Sequence, residues 1–162
     1  MYSKMSESQD ASPYLIRNAV PTDIGVLRDV YRRSSLANEG DRMNLLANPD
    51  ALELSDVAVN QGRTRVAIAD GRIVGFSASF VARGIIELED LFVDPEWTRR
   101  GVGRQLVLDL VAIARTRHIR RVEVTANKHA LDFYRKAGFV FDGHIDTRFG
   151  AADRMHRDVE LV

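Results

Sequence analysis

The sequence predicts one α+β domain: a mixed, mostly antiparallel sheet flanked by helices. Three observations carry that expectation. Short β-prone runs separated by hairpin dipeptides occupy the middle of the chain, and a strongly periodic helical stretch follows them. No internal repeat, low-complexity tract or Pro-, Gly- or Ser-rich linker divides the 162 residues. A chain of that length buries about two thirds of the surface its unfolded form exposes, which is enough for one core.

Taken in order, residues 14–17 read as a first strand, and Pro21, Thr22 and Asp23 offer helix-start chemistry for Ile24, Leu27, Val30 and Tyr31. A less regular segment follows, in which Leu45, Leu46, Leu52 and Leu54 anchor a short second helix. The runs 64–69 and 72–80 flank Asp70-Gly71, a dipeptide suited to the positive φ of a type I′ turn, so they pair antiparallel. Ala82, Arg83 and Gly84 turn the chain again into 85–93, completing a meander that Asp94-Pro95 ends. Over 99–117 the residues Val102, Leu106, Val107, Leu110, Val111 and Ala114 recur at helical spacing. Residues 121–125 form a strand and 130–137 a helix stopped by Gly138. Runs 139–145 and 155–161 close the sheet.

Composition narrows the function classes. An apolar content of 45% and a charged content of 28% are those of a folded domain and exclude a disordered or fibrous chain. Lys plus Arg (23) balance Asp plus Glu (23), so no long-range field draws the protein to nucleic acid or an anionic membrane, and any anion site must be local. The absence of cysteine excludes disulfides, a thiolate nucleophile and zinc–thiolate sites, and agrees with a cytoplasmic setting. Residues 1–12 are polar, lack the apolar core of a secretory signal, and read as a tail ahead of a single domain at 13–162. The longest apolar-rich run, 106–114, is interrupted by Asp109 and falls far short of the ~20 residues a bilayer needs. His118, His129, His144 and His156 show no metal-ligand spacing, so no metal is expected, and an isolated histidine serves as a base less often than as a surface residue.

The chemistry concentrates where a strand, a glycine turn and a helix start follow one another: Leu91, Phe92, Val93, Asp94, Pro95, then Arg99, Arg100, Gly101, Val102, Gly103 and Arg104. The first turn of a helix has unpaired N–H groups and partial positive charge, and glycines let an anion approach the backbone. Two readings stay open, a phosphate cradle and a tight strand-to-helix turn. No Gly-Lys-Ser/Thr follows, and Leu106 stands where a dinucleotide fingerprint needs a small residue, which disfavours ATP and NAD.

Downstream, Asn127, Ala130, Phe133, Tyr134, Gly138 and Phe139 stand in the order N-x-x-A-x-x-F-Y-x-x-x-G-F. Together with L-x-V-x-P and the R-R-G-V-G turn, this pattern resembles the GNAT superfamily of acyl-CoA N-acyltransferases, over roughly residues 14–162. The resemblance implies that the fourth strand (85–93) splays from the fifth (121–125). It implies that the pantetheine arm of acetyl-CoA lies along Leu91, Phe92 and Val93, where main chain left without a neighbour completes a ladder with it. Pyrophosphate would rest on the N–H groups of residues 99–104, with Arg99, Arg100 and Arg104 as charge partners. Thr98 departs from the family's Gln or Arg three residues before the first glycine, which puts that side-chain contact in question. Asn127 would bond the cofactor or cap the following helix.

Aminolysis of a thioester requires loss of an amine proton and a proton for the departing sulfur. Glu87 lies where several members of the superfamily place a glutamate base, with Glu89 next in line. Simple alternation puts Glu87, Glu89, Leu91 and Val93 on one face and Leu88, Asp90 and Phe92 on the other, unless a bulge intervenes. Tyr134 matches the tyrosine that often protonates CoA sulfur in this superfamily. The expectation is therefore an acetyl-CoA-dependent N-acetyltransferase acting by direct attack in a ternary complex, without metal. Its acceptor is a small-molecule amine or a peptide N-terminus. The alternative is a non-catalytic acyl-CoA sensor, and pairing of exposed strands across a homodimer is the expected mode of any self-association.

Overall fold

The computed structural model describes residues 12–148 and 150–161; the expected tail falls outside this range except for Ser12. Strand β1 (Leu15–Asn18) leads through a turn at Pro21–Asp23 into helix α1 (Ile24–Leu36). Helix α2 (Glu39–Ala47), a 3-10 turn at Pro49–Leu52 and the short helix α3 (Val57–Asn60) follow. Then come β2 (Thr64–Ala69), β3 (Arg72–Ala82), β4 (Ile85–Val93), α4 (Val102–Thr116), β5 (Arg121–Ala126), α5 (Leu131–Lys136), β6 (Val140–Thr147) and β7 (Gly150–Asp158). The seven strands form one sheet in the order β1-β2-β3-β4-β5-β7-β6, antiparallel except for the β4–β5 pair. Among the described residues no helix is long and apolar enough to cross a membrane.

Helix α4 carries the period expected of it, burying Leu106, Val107, Leu110, Val111 and Ala114 against one face of the sheet. Burying each such side chain contributes about 1.5–3 kcal/mol, so this face holds most of the core. On the opposite face, Leu27 and Val30 of α1 pack over Val66 and Phe76. The helix ends by Thr116 and its start is later than the pattern reads, at Val102, because Arg99 and Gly101 adopt positive φ (63° and 81°) that no helix can contain.

Both hairpin signals are realised. Asp70 and Gly71 have φ of 52° and 74°, and Arg83 and Gly84 have 54° and 75°, the pairs of positive values a type I′ turn requires. Arg83 is an exposed residue in a conformation that favours Asn or Gly. Arg83→Asn should therefore stabilise the fold by about 0.5–1 kcal/mol, read as a raised urea midpoint at unchanged slope.

Candidate active site

Strand β4 runs antiparallel to β3 along its whole length, but with one interruption. Ala78 pairs with Asp90 and Ser79 with Leu88, which leaves Glu89 as an extra residue on β4. Such a bulge shifts every later side chain to the other face. Ile86 and Leu88 point under α4, and beyond the bulge Leu91 and Val93 do so again. Phe92 lies on the opposite face, its ring 4.8 Å from Tyr31 of α1 and perpendicular to it. Asp90 shares that face with Phe92 and Glu87. Simple alternation is thus corrected: the bulge takes Glu87 out of register with Leu91 and Val93.

On its other edge β4 pairs with β5 only at Ile86↔Val122, Glu87↔Glu123 and Leu88↔Val124. Strand β5 is meanwhile held by β7 from Arg121 to Ala126. Two strands fastened at one end and diverging at the other enclose a gap. Among the described residues the β4 edge from Glu89 to Val93 that faces it has no strand partner.

The gap leads to the glycine turn. Asp94, buried, ends β4 by accepting a hydrogen bond from the Glu96 N–H (3.1 Å) and pairing with Arg33 of α1 (2.8 Å). The Thr98 hydroxyl donates to the Pro95 carbonyl (3.1 Å), so this residue closes its own turn. The Tyr14 hydroxyl donates to the Arg100 carbonyl, and the Arg100 guanidinium lies 4.7 Å from the centre of the Trp97 ring. These contacts hold the loop against the sheet. The first backbone bond of α4 runs from the Gln105 N–H to the Gly101 carbonyl (3.0 Å), so the N–H groups of Val102, Gly103 and Arg104 have no acceptor among the described residues. A Cβ on Gly103 would stand 3.0 Å from the Phe133 ring, which is how closely α4 and α5 approach. At Arg104 the turn adjoins a hollow of about 440 Å³ lined also by Lys136, Gly138, His156 and Arg157.

Across the gap, Asn127 Oδ1 accepts from the His129 and Ala130 N–H groups (3.1 Å each). Of its two expected roles, the cap is the one seen. Tyr134 on α5 is 6% exposed, wedged edge-on between Phe133 and Phe139 at 5.1 and 5.2 Å. Burial, and to a lesser degree the charge of Asp90, push its hydroxyl well above the usual phenol range.

The acids are placed very differently from one another. Arg154 of β7 holds Glu87 with both nitrogens (2.7 and 2.9 Å) and also binds Glu123 (2.7 Å) and the Thr125 hydroxyl (2.9 Å). These pairs push the Arg154 guanidinium further above its usual range. Glu89 projects outward, 44% exposed, and meets Arg63 at 3.4 Å. The acid that the sequence reading passed over is Asp90. Burial, reinforced by the neighbouring Glu89 and opposed by Arg63, pushes its carboxyl up to about 6. Its only signal in the sequence is an acid set directly before the apolar run Leu91, Phe92, Val93. His144 and His156 are engaged on the β6–β7 hairpin by Asp153 (2.8 Å) and Asp142 (2.7 Å). No cluster of three or more His, Asp or Glu side chains suited to a metal occurs among the described residues.

The model of the Acetyltransferase (GNAT) family matches residues 27–139. The chain belongs to that family. A glucosamine 6-phosphate N-acetyltransferase of Trypanosoma brucei brucei is 33% identical over 76 residues, 43% of this chain and 52% of that protein; the chain thus spans about half the length of that relative. Among solved structures, the PaiA N-acetyltransferase of Thermoplasma acidophilum in complex with coenzyme A superposes with a TM-score of 0.73 at 21% identity, covering 90% of this chain and 98% of that one. A GNAT phosphinothricin acetyltransferase of Sinorhizobium meliloti in complex with AcCoA gives 0.68 at 19% identity, over 91% and 89%. At these identities the structural likeness speaks for the fold.

Proposed function

We propose that the chain is an acetyl-CoA-dependent N-acetyltransferase that moves an acetyl group onto a primary amine by direct attack in a ternary complex, in a cytoplasmic setting. The observation that carries this reading is that one strand–turn–helix unit combines a β4 edge unpaired from Glu89 onward with three N–H groups left without an acceptor at the start of α4, among the described residues. The residues fit the cosubstrate. Main chain of Leu91, Phe92 and Val93 would hold its pantetheine amides as an added strand would. The N–H groups between Arg99 and Arg104 would hold pyrophosphate at a helix N-terminus. Arg99, Arg100 and Arg104 supply charge there, Arg104 and Lys136 extend it into the adjoining hollow, and the Asn127 amide nitrogen stays available. The thioester makes the acetyl carbon open to attack by nitrogen; the protein holds it, excludes water and moves protons.

Tyr134 is the proposed donor to sulfur. Glu87 is engaged by both guanidinium nitrogens of Arg154 in a two-pronged, charge-assisted pair. Its part is to fix the closed end of the gap. Glu89 points outward into solvent and meets Arg63 instead.

Thiol release from acetyl-CoA, screened over polyamines, amino sugars including glucosamine 6-phosphate, amino acids and peptides, tests the proposal. One acceptor turned over catalytically supports it, whereas coenzyme A binding with no turnover for any amine would favour the sensor. The cradle has its own test. In Gly101→Ala a Cβ is forced onto a residue with φ of 81°, at a cost of about 1–2 kcal/mol. Relaxation of that strain should turn the N–H groups away and weaken coenzyme A binding about tenfold by calorimetry.

A further inference from the structure

We propose that Asp90 is the catalytic base that takes the proton from the attacking amine, and that its neutralisation then readies Tyr134 to protonate the departing sulfur. The proposal rests on reading the β4–β5 gap as the site of acetyl transfer. The bulge at Glu89 turns Asp90 onto the α1 face two residues past Leu88, the last residue of β4 paired with β5. Among the described residues its carboxylate has neither a hydrogen-bond nor an ion-pair partner, while no fully enclosed side-chain oxygen or nitrogen goes unpaired. The Asp90 oxygens are therefore not sealed from solvent. A half-buried carboxylate left unpaired at such a place is costly and is poised to accept a proton.

The groups that face it are few. Glu89 lies beside it, with Arg63 opposing; Tyr31 of α1 and Tyr134 of α5 both sense its charge. Raised to about 6, Asp90 is mostly ionised at neutral pH and a far stronger base than an ordinary carboxylate, which is the compromise that general-base catalysis favours.

The coupling to Tyr134 gives the two proton transfers an order. While Asp90 is ionised, its charge adds to burial in keeping the proton on Tyr134. As nitrogen bonds to the acetyl carbon, its N–H proton moves to Asp90 and that charge disappears. The C–S bond then breaks with its electron pair on sulfur, and Tyr134 gives sulfur the hydroxyl proton. Return of the proton from Asp90 to the tyrosine oxygen, directly or through water, restores both groups. Amine and thioester have become amide and thiol with no other reactant.

Asp90→Asn keeps the shape and removes the basicity. Its kcat with acetyl-CoA and an accepted amine should fall about 10²- to 10³-fold at pH 7.5, and the acidic limb near pH 6 in the wild-type kcat/KM profile should vanish. Coenzyme A affinity should stay within about twofold. Stability supplies a readout that needs no turnover. The folded pKa of Asp90 lies above the unfolded value of about 3.9, so the wild type loses stability relative to Asp90→Asn as pH rises from about 4 to 6 and no further above that. The variant should melt about 3–5 °C higher at pH 7.5 and level with wild type at pH 3.5. Wild-type turnover in Asp90→Asn, a lower melting point at pH 7.5, or a greater loss of kcat in Glu87→Gln would each overturn the assignment. A wild type that releases no thiol with any amine would overturn the function itself, and that control separates the two failures.

Discussion

Tyr134→Phe should lower kcat by about 10²- to 10⁴-fold while the fold and coenzyme A affinity change little. Only one oxygen is removed from a ring whose packing against Phe133 and Phe139 is otherwise kept. A thiol has a pKa of about 8.5 and a phenol about 10, so complete transfer to a free thiolate in water is uphill by roughly 2 kcal/mol. Burial of Tyr134 widens that gap in the resting site. Charge on sulfur is, however, equally costly in a desolvated gap, and a positioned hydroxyl lowers that cost before transfer is complete. Loss of the Asp90 charge during the reaction acts in the same direction. Leaving-group dependence is the control: an acyl donor with a more acidic thiol should recover part of the deficit of the variant. Wild-type turnover by Tyr134→Phe, with chemistry shown to be rate-limiting, would leave the tyrosine only a packing role.

Replacing Arg154 by Met should destabilise the protein by about 2 kcal/mol. The guanidinium is 26% exposed and satisfies Glu87 and Glu123, themselves 20% and 23% exposed. Removing it leaves two half-buried carboxylates on adjacent strands, of which Glu123 keeps only a long contact to Arg121 (4.0 Å). Loss of one partner of a fully buried pair costs about 3–5 kcal/mol, and the solvent that reaches these groups reduces the figure. Adding Glu87→Gln should restore about half of the cost by removing one of the two charges, a coupling that a double-mutant cycle in urea measures. A loss under about 0.5 kcal/mol would mean that the network is merely solvated surface charge.

The parts of this molecule legible in its sequence are those set by local chemistry. Asp70-Gly71 and Arg83-Gly84 announce their turns because positive φ is a demand on two residues alone. Helix α4 is readable because six buried side chains recur with one period on one face. Where partners decide, reading fails. Strand β7 begins at Gly150, five residues earlier than the apolar pattern of 155–161 suggests, and ends at Asp158, three residues earlier, since pairing with Thr147 across the hairpin sets its start. The helices between Leu36 and Asn60 have only weak apolar faces, and the leucines expected to anchor one helix fall in a helix, a 3-10 turn and the segment after it. The bulge at Glu89 is the sharpest case. Nothing local marks it, because an extra residue exists only relative to the strand opposite. Its consequence is the whole placement of Asp90, which alternation alone had put on the face away from Glu87. The glycine turn and Tyr134, by contrast, were within reach of the sequence because their spacing is carried by one strand–turn–helix unit and one short helix.

Direct transfer in a ternary complex is the central claim, and a single-turnover quench tests it most directly. Protein in excess over acetyl-CoA labelled in the acetyl group is mixed with an accepted amine, or with buffer alone, and the label is followed together with free thiol. The expected result is label in the amide and thiol appearing at one common rate, only when amine is present, with no acetyl group on the protein at any time. Acetylated protein and free thiol formed before the amine is added would contradict it.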